Sequence, residues 1–400
     1  MKYTILITIF LFFVACKKNT SSENQSSEIT TQIQKKLEYS GLPIEANVSF
    51  LSDLIKTNNT TQLIYELNIL NNYRVPFTLT KVEIYDLQKD DNPIATFDSD
   101  YLDEHFERPG NDDLDDLKVL SNNQFGILNL ELVFKQGIPI PDKIFHKLYF
   151  EGQNKKGETV TIPIEVAVIK VPEIAKVTLG LPFKKKGKWL YEASESHQAS
   201  RFLTEGKANY PQRFAIDWIF VDKNGYFAKD DIKKNENWKG YGVELISVAD
   251  GTIVGTKDGI IENEPLSEEM AVKITLETIG GNYIIIDIGN NIYAFYGHLI
   301  PNSLKVKIGD KVKKGQIIGL LGNSGNSDCP HLHFHLESKS NAFFGGEGMP
   351  YLIKEFTDLR KYTDKEITNI FKGNSVQLDS LRPTEKHNEL PIGYGLIEVE

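Results

Sequence analysis

The sequence predicts an all-β protein built from two β modules in series. Two observations predict it. Between residues 62 and 169, five segments alternate apolar and polar residues with period two. From residue 240 onward glycine becomes dense, in "GYGVELISVADGTIVG", "GGNYIIIDIGNNIYAFYGHL" and "KIGDKVKKGQIIGLLGNSGNS", a texture of short strands and tight turns. No segment of the second half keeps a helical period for ~12 residues.

The elements follow in chain order. "MKYTILITIFLFFVAC" carries Lys2, an apolar run from Ile5 to Val14, then Ala15-Cys16. The run falls short of the about 20 apolar residues a bilayer span needs and reads as a secretory h-region. Its end is similar to a bacterial lipoprotein cleavage site, so residues 1–15 are expected to be a lipoprotein signal peptide and Cys16 the lipidated first residue. A plain signal peptide or an N-terminal anchor is the other reading. Residues 16–36 include "KKNTSSENQSSE", too polar to pack, and read as a flexible tether. Residues 37–172 are read as a β-sandwich of immunoglobulin-like type, from "QLIYELNIL", "TLTKVEIYD", "FGILNLELVF", "HKLYFEGQ" and "VTIPIEVAVI" with turn formers between them. His105 and His146 stand alone there and are read as packing or surface residues. "VPEIAKVTLGLPF" reads as the joint, residues 173–355 as the second module, and 356–400 as a C-terminal extension. The stretch from Met349 to about Lys372 is expected to be helical or irregular.

Four hundred residues leave room for two domains plus tails. Acidic residues outnumber basic ones, 55 to 45. That balance argues against a nucleic-acid partner, because phosphates reward Lys/Arg stripes. Only Cys16 and Cys329 are cysteines. With Cys16 lipidated no intramolecular disulfide remains, so the fold rests on its cores and on any metal.

Three of the eight histidines fall in "PHLHFHLE": His331, His333 and His335. On a strand alternate residues share a face, so the three imidazoles project together while Leu332 and Phe334 face the core. A polar strand face is the plainer reading, but histidine is too rare for that to account for three in five positions. His298 ends the apolar strand "YAFYGHL". Cys329, two residues before His331, could offer a thiolate to a metal or simply fill the turn.

"GNYIIIDIGNNIYAFYGHL", "VKIGDKVKKGQIIGLLGNSG" and "PHLHFHL" together resemble the lysostaphin-type (LytM-domain) zinc endopeptidases, which cleave peptide cross-bridges of bacterial cell walls. The resemblance covers roughly residues 175 to 350. The "VKIGDKVKKGQIIG" piece alone is shared with biotinyl and lipoyl hairpins, but no modified-lysine context accompanies it. The resemblance implies an antiparallel β-sheet peptidase domain, duplicated hybrid motif-like, with one Zn2+ per chain. It implies His333 and Asp217 as zinc ligands, and His331 and His298 as proton-transfer and oxyanion-contact residues. His335 stands where that family often has a glutamate and is read as second-layer or structural. Asn282 and Asn323 are expected to shape turns near the cleft, and Tyr296 to line it. Three protein ligands leave a catalytic zinc one open position. Two neutral imidazoles and one carboxylate keep the centre positive, and uncoordinated histidines nearby can take a proton or contact an oxyanion.

The family's usual His-x-x-x-Asp reads here Arg213-Phe-Ala-Ile-Asp217. A guanidinium has no lone pair and stays protonated, so Arg213 cannot bind zinc. His197 in "YEASESHQASRF" lies upstream, and a loop of that length closes at little extra cost. "QRFAIDW" preceded by a His in a Ser-rich loop also resembles one branch of the family, which implies a ligand supplied from that loop, so His197 is read as the third ligand; a solvated loop residue is the other reading. Arg213 is then free to pair with a carboxylate, with Asp222 or a substrate terminus as candidates.

Three functional readings follow. The first is a zinc endopeptidase of peptidoglycan on the bacterial cell envelope, held by its lipid, with the outer membrane favoured because Lys17-Lys18 lacks a retaining aspartate. The second is a catalytically silent domain that binds cell wall or activates a partner hydrolase, motivated by Arg213. The third is a structural lipoprotein, which the histidine density disfavours.

Overall fold

The computed structural model describes residues 42–89, 91–110, 114–340, 345–373 and 375–400. Cys16 and the expected leader and tether lie outside the described residues. No helix among the described residues is long and apolar enough to cross a membrane.

The first module is a sandwich of two antiparallel sheets. One runs β1(Ile44–Val48)-β3(Thr60–Asn71)-β8(Phe125–Lys135)-β6(Phe106–Glu107), with β2(Ile55–Thr57) paired to β3. The other runs β10(Thr159–Lys170)-β9(Lys143–Gln153)-β4(Phe77–Asp86)-β5(Ala95–Phe97), with β7(Val119–Leu120) on β4. In chain order this is the ABED-against-GFC arrangement of the immunoglobulin type. The alternation read in the sequence is what fills the space between the sheets. Leu63, Tyr65, Leu67 and Ile69 of β3 meet Leu79, Val82 and Ile84 of β4, all buried. His146 belongs to this core. Its Nε2 lies 2.7 Å from the Tyr65 hydroxyl and its Nδ1 2.8 Å from the Ala167 carbonyl. Burial pushes its pKa down to about 4. His105 ends α1(Ser99–His105) and stacks on Tyr101.

The second module is built on one long sheet. Its order is β11(Thr178–Leu179)-β23(Leu352–Tyr362)-β25(Gly393–Val399)-β12(Gly187–Ala193)-β15(Ile216–Val221)-β22(Leu332–Glu337)-β19(Tyr293–Leu299)-β18(Asn282–Asp287)-β17(Gly251–Lys257)-β20(Lys311–Val312), with β24(Thr384–Glu389) on β23. One face packs Trp189, Tyr191, Trp218, Tyr296, Phe334 and Leu336 into the main core. The other face carries the histidines at one end of β22. Elsewhere it is capped by a smaller core that includes Leu190, Ile219, Ile367 and Ile370, the last two from α3(Asp364–Gly373).

Two sequence expectations change here. The stretch from Met349, read as helical or irregular, first forms the eleven-residue strand β23 and only then α3. Residues 356–400, read as an extension, supply β25, which pairs along the whole of β12 from Gly187↔Val399 to Ala193↔Gly393. The physical reason is the same for both. These strands are defined by partners far away in sequence, and their own alternation is broken by the charged residues of "FTDLRKY".

The two modules share contacts. Ile55 and Ile64 of the sandwich sit in the core of the second module. Leu54 N donates to Glu173 O at 2.8 Å, and Leu390 N donates to Lys56 O at 2.8 Å.

Candidate metal centre

The centre is assembled on one rung of the long sheet. Across neighbouring strands the register runs Tyr394↔Glu192↔Asp217↔His333↔Gly297. Cross-strand partners point to the same face, so Asp217 and His333 are side by side without any loop having to hold them. His333 Nδ1 lies 2.8 Å from Asp217 Oδ1. His197 arrives from outside the sheet, on the short turn α2(Glu195–Gln198) that follows β12. Ser194 O accepts from His197 N and Gln198 N, which fixes that turn. The result is His197 Nε2 at 3.4 Å from Asp217 Oδ2. One ligand atom from each of His197, Asp217 and His333 lies within 4.8 Å of the others.

The remaining nitrogen of His333 is occupied: Nε2 lies 3.0 Å from His335 Nδ1. Nδ1 is therefore the nitrogen His333 would offer a metal, and with a metal there Nε2–H would be donated to His335. His335 is fully buried and stacked on Phe295, with centroids 4.9 Å apart.

His298 and His331 flank the trio, their ring centroids 4.7 Å apart. His298 Nδ1 lies 2.7 Å from the Ser324 carbonyl, and His331 Nδ1 lies 2.8 Å from the Cys329 carbonyl. A carbonyl only accepts, so both rings carry their proton on Nδ1 and leave Nε2 to act. His331 Nε2 is 3.5 Å from Asp217 Oδ2. His298 reaches this face through a left-handed backbone, φ +64°. Strict alternation along β19 would have put it in the core beside Tyr296. That kink is the kind of local strain a packed surrounding must maintain.

The electrostatics agree with the geometry. Burial works against the charge of Asp217, but the imidazoles of His331, His197 and His333 outweigh it and hold its carboxyl well below the usual range. Burial lowers His197 to about 4 and drives His298 well below the ordinary histidine value, so both rings are neutral. Burial also pushes the Cys329 thiol far up. It is a protonated filler of the turn and not a thiolate. Glu192 is raised, by burial first and by Asp217 next.

Several expected residues stand elsewhere. Tyr296 does not line the cleft. It is fully buried, its hydroxyl donating to Ile246 O and accepting from Val248 N, because it faces the core with Phe334. Asn282 and Asn323, expected to shape turns near the cleft, are buried ties just behind it. Asn282 Nδ2 donates to Ile260 O and Leu299 O, and its backbone N to Ser324 Oγ, steadying the residue whose carbonyl holds His298. Asn323 Oδ1 accepts from Ser327 Oγ, which sits 3.2 Å from His331 Nδ1. Arg213 is not near Asp222, whose carboxylate instead accepts from Asn224 N and Tyr226 N in its own turn. Arg213 turns away from the centre and pairs with Glu66 of the sandwich.

The cleft measures about 550 Å³. Besides the trio, His298 and His331, its walls include Glu192, Asp328, Phe202 and Phe371. The sequence reading missed Glu192 and Phe371. Glu192 carries a signal, lying five residues before His197 in "YEASESH"; Phe371 carries none, because it arrives from α3 near the chain's end.

Residues 239–344 match Peptidase family M23. The chain carries an M23 peptidase domain. The match takes in His298, His331, His333 and His335 and begins after His197 and Asp217, the part of the chain where Arg213 stands in the family's usual histidine position. Among curated relatives of the M23 domain, the peptidoglycan DD-endopeptidase ShyA of Vibrio cholerae is 48% identical over 56 residues, which are 14% of this chain and 13% of its own. Lysostaphin of Staphylococcus simulans is 42% identical over 76 residues, 18% of this chain and 15% of its own. An uncharacterized metalloprotease of Buchnera aphidicola is 30% identical over 162 residues, 40% of this chain and 31% of its own. The chain thus spans less than a third of the length of these relatives. Among solved structures, the catalytic domain of lysostaphin from Staphylococcus simulans aligns at 22% identity over 41% of this chain and 88% of its own, with a TM-score of 0.23.

Proposed function

We propose that this protein is a zinc-dependent endopeptidase that hydrolyses peptide bonds in peptidoglycan stem peptides or cross-bridges, held at the bacterial cell envelope by a lipid on Cys16. The observation that carries the reading is the convergence of His197, Asp217 and His333 within 4.8 Å, beside two further imidazoles in one cleft. The donor set fits the metal: two neutral nitrogens and one carboxylate match a catalytic zinc with an open position. His197 Nε2, Asp217 and His333 Nδ1 would hold it. Zinc, when bound, supplies Lewis acidity at the scissile carbonyl.

The chain's own residues do the rest. His331 and His298 keep their protons on Nδ1 through the Cys329 and Ser324 carbonyls. Their Nε2 atoms are thereby free to take a proton from the attacking water and return it to the leaving amine. In the protonated form the same ring donates to the developing oxyanion. Phe202, Ile279 and Leu266 give the cleft apolar walls that limit water around the peptide. The silent-domain reading rested on Arg213. That guanidinium pairs through its terminal nitrogens with Glu66, away from the centre.

The test is digestion of purified sacculi by the zinc-loaded chain in detergent. New muropeptides that disappear with a chelator and return with zinc are expected. One zinc per chain with an unchanged muropeptide profile would leave a binding protein in place of an enzyme.

A further inference from the structure

The lysines of this chain are unevenly placed. Residues 180–191 and 303–321 carry nine lysines and one acidic residue, Asp310, although the whole chain has a net charge of −10. The fold lays these two stretches side by side. Phe183 bridges to Leu245 of β16(Glu244–Ile246), which pairs with β21(Ile317–Leu320), and Gly315 N donates to Ser247 O. A Cβ on Gly315 would come 4.0 Å from Lys184 Nζ, and one on Gly180 would come 4.0 Å from Lys314 Nζ.

Two tight turns flank the edge strand β20. In the first, Asp310 N donates to Lys307 O and the Asp310 carboxylate accepts from Lys307 N. Gly309, at φ +93°, takes the third position and Ile308 the second, so Ile308 stands at the tip. Gly309 N donates to Ile253 O and Ile253 N to Asp310 O, both at 2.9 Å, which fastens the turn to β17. The second turn repeats the device. Gln316 N donates to Lys313 O, the Gln316 side chain accepts from Lys313 N, and Gly315 at φ +81° leaves Lys314 at the tip. Ile308 is 61% exposed. Lys184, Lys305, Lys307, Lys311 and Lys314 are exposed too and carry no ion pair among the described residues, whereas Lys313 is held by Asp250 at 2.7 Å.

Lysines on a sheet edge discourage pairing with other strands, and Lys311 on β20 does that. Lys184 and Lys314 lie off the strand, and an exposed isoleucine works against such protection. A soluble polyanion would engage the ammonium groups and gain nothing from Ile308. A bilayer surface uses both, with lysines at anionic headgroups and an apolar tip at the acyl boundary. The turns are already pinned, so docking orders little.

We propose that this edge of the second module docks on an anionic lipid surface, with Ile308 entering the boundary between headgroups and acyl chains. The contact is independent of the metal chemistry and of a lipid on Cys16. β20 stands three strands from β19 in the sheet, and none of these residues lines the metal cleft, so docking leaves the cleft open.

The experiment uses the chain from residue 16 onward, made without export so that Cys16 carries no lipid. It is sedimented with vesicles of phosphatidylcholine alone or mixed with phosphatidylglycerol. Binding is expected to need the anionic lipid and to weaken as salt is raised. The triple variant Lys184→Gln, Lys307→Gln, Lys314→Gln should bind about 100-fold more weakly, near fivefold for each lysine. Ile308→Ser should bind about tenfold more weakly. Thermal unfolding curves matching the wild type show that both variants are folded. Equal sedimentation with the two kinds of vesicle, or none with either, overturns the inference. Binding that survives the triple variant places the contact elsewhere and overturns it as well. Binding that depends on the lysines, ignores Ile308→Ser and is abolished by heparin would make the edge a polyanion site and end the lipid assignment.

Discussion

Glu66, on strand β3 of the sandwich, accepts hydrogen bonds from both terminal nitrogens of Arg213, four residues before the carboxylate of the metal rung. The pair is buried, and Glu347 and the Tyr210 ring close around the guanidinium. Bidentate geometry of this kind is among the stronger charged contacts. A position that could have held a metal ligand therefore ties one module to the other. Removing one partner of such a pair strands the other charge and costs about 3–5 kcal/mol. Arg213→His, which would restore the family's usual spacing, is thus expected to destabilise the chain in urea unfolding and to bring no additional zinc. Unchanged stability in that variant would refute the tie.

His197→Ala is expected to lose the stoichiometric zinc, as is His333→Ala, while Arg213→Met retains it. Metal analysis after dialysis reads this directly. A His197→Ala protein that holds zinc as tightly as the wild type would remove His197 from the ligand set.

His335 acts through His333: with a metal on His333 Nδ1, the ring proton on Nε2 would be accepted by His335 Nδ1, 3.0 Å away. Loss of a partner that orients a ligand typically costs 10–100-fold in metal affinity. His335→Leu should weaken zinc binding by about that factor, while His335→Gln, which keeps an acceptor, restores much of it. Equal zinc affinity in all three proteins would show that packing alone positions His333.

Glu337, at the end of β22, is fully buried. Burial raises its carboxyl to about 8, and the Gly346 backbone offsets only part of that. The folded value lies above the unfolded one, so the folded chain binds the extra proton between them. The stability that results is fully present below the unfolded value near 4.5 and is lost as pH rises through about 8. Glu337→Gln mimics the protonated form and should be more stable than wild type at pH 8 by several kcal/mol in order of magnitude, with the gap closing towards pH 4.5. Denaturant midpoints that run parallel across this range would contradict it.

β25 lies between β12 and β23 in the long sheet, and at Gly395 an added Cβ would fall on the Tyr191 ring. Deleting residues 391–400 would uncover the edge of β12 and the buried face of Tyr191. The truncated chain is expected to aggregate or to be degraded, as an unpaired apolar edge does. A soluble, zinc-binding product would show that the strand is dispensable.

The alternation of "QLIYELNIL" and its neighbours determined the sandwich, because period two is a local property that each strand states for itself. The HLH spacing likewise determined that His331, His333 and His335 would act from neighbouring places, and with the resemblance it marked His298 and Asp217. Only the tertiary structure decided the rest. It turned His298 onto the cleft face through a left-handed residue, against the alternation that sent Tyr296 into the core. It brought His197 to Asp217 across a loop, gave Arg213 a partner 147 residues away, and set Glu192 and Tyr394 on the metal rung by pairing β12 with β15 and β25. The reason is physical: periodicity fixes which way a side chain faces its own strand, whereas a site is made where strands distant in sequence are brought into register, and register is settled by packing of the whole sheet.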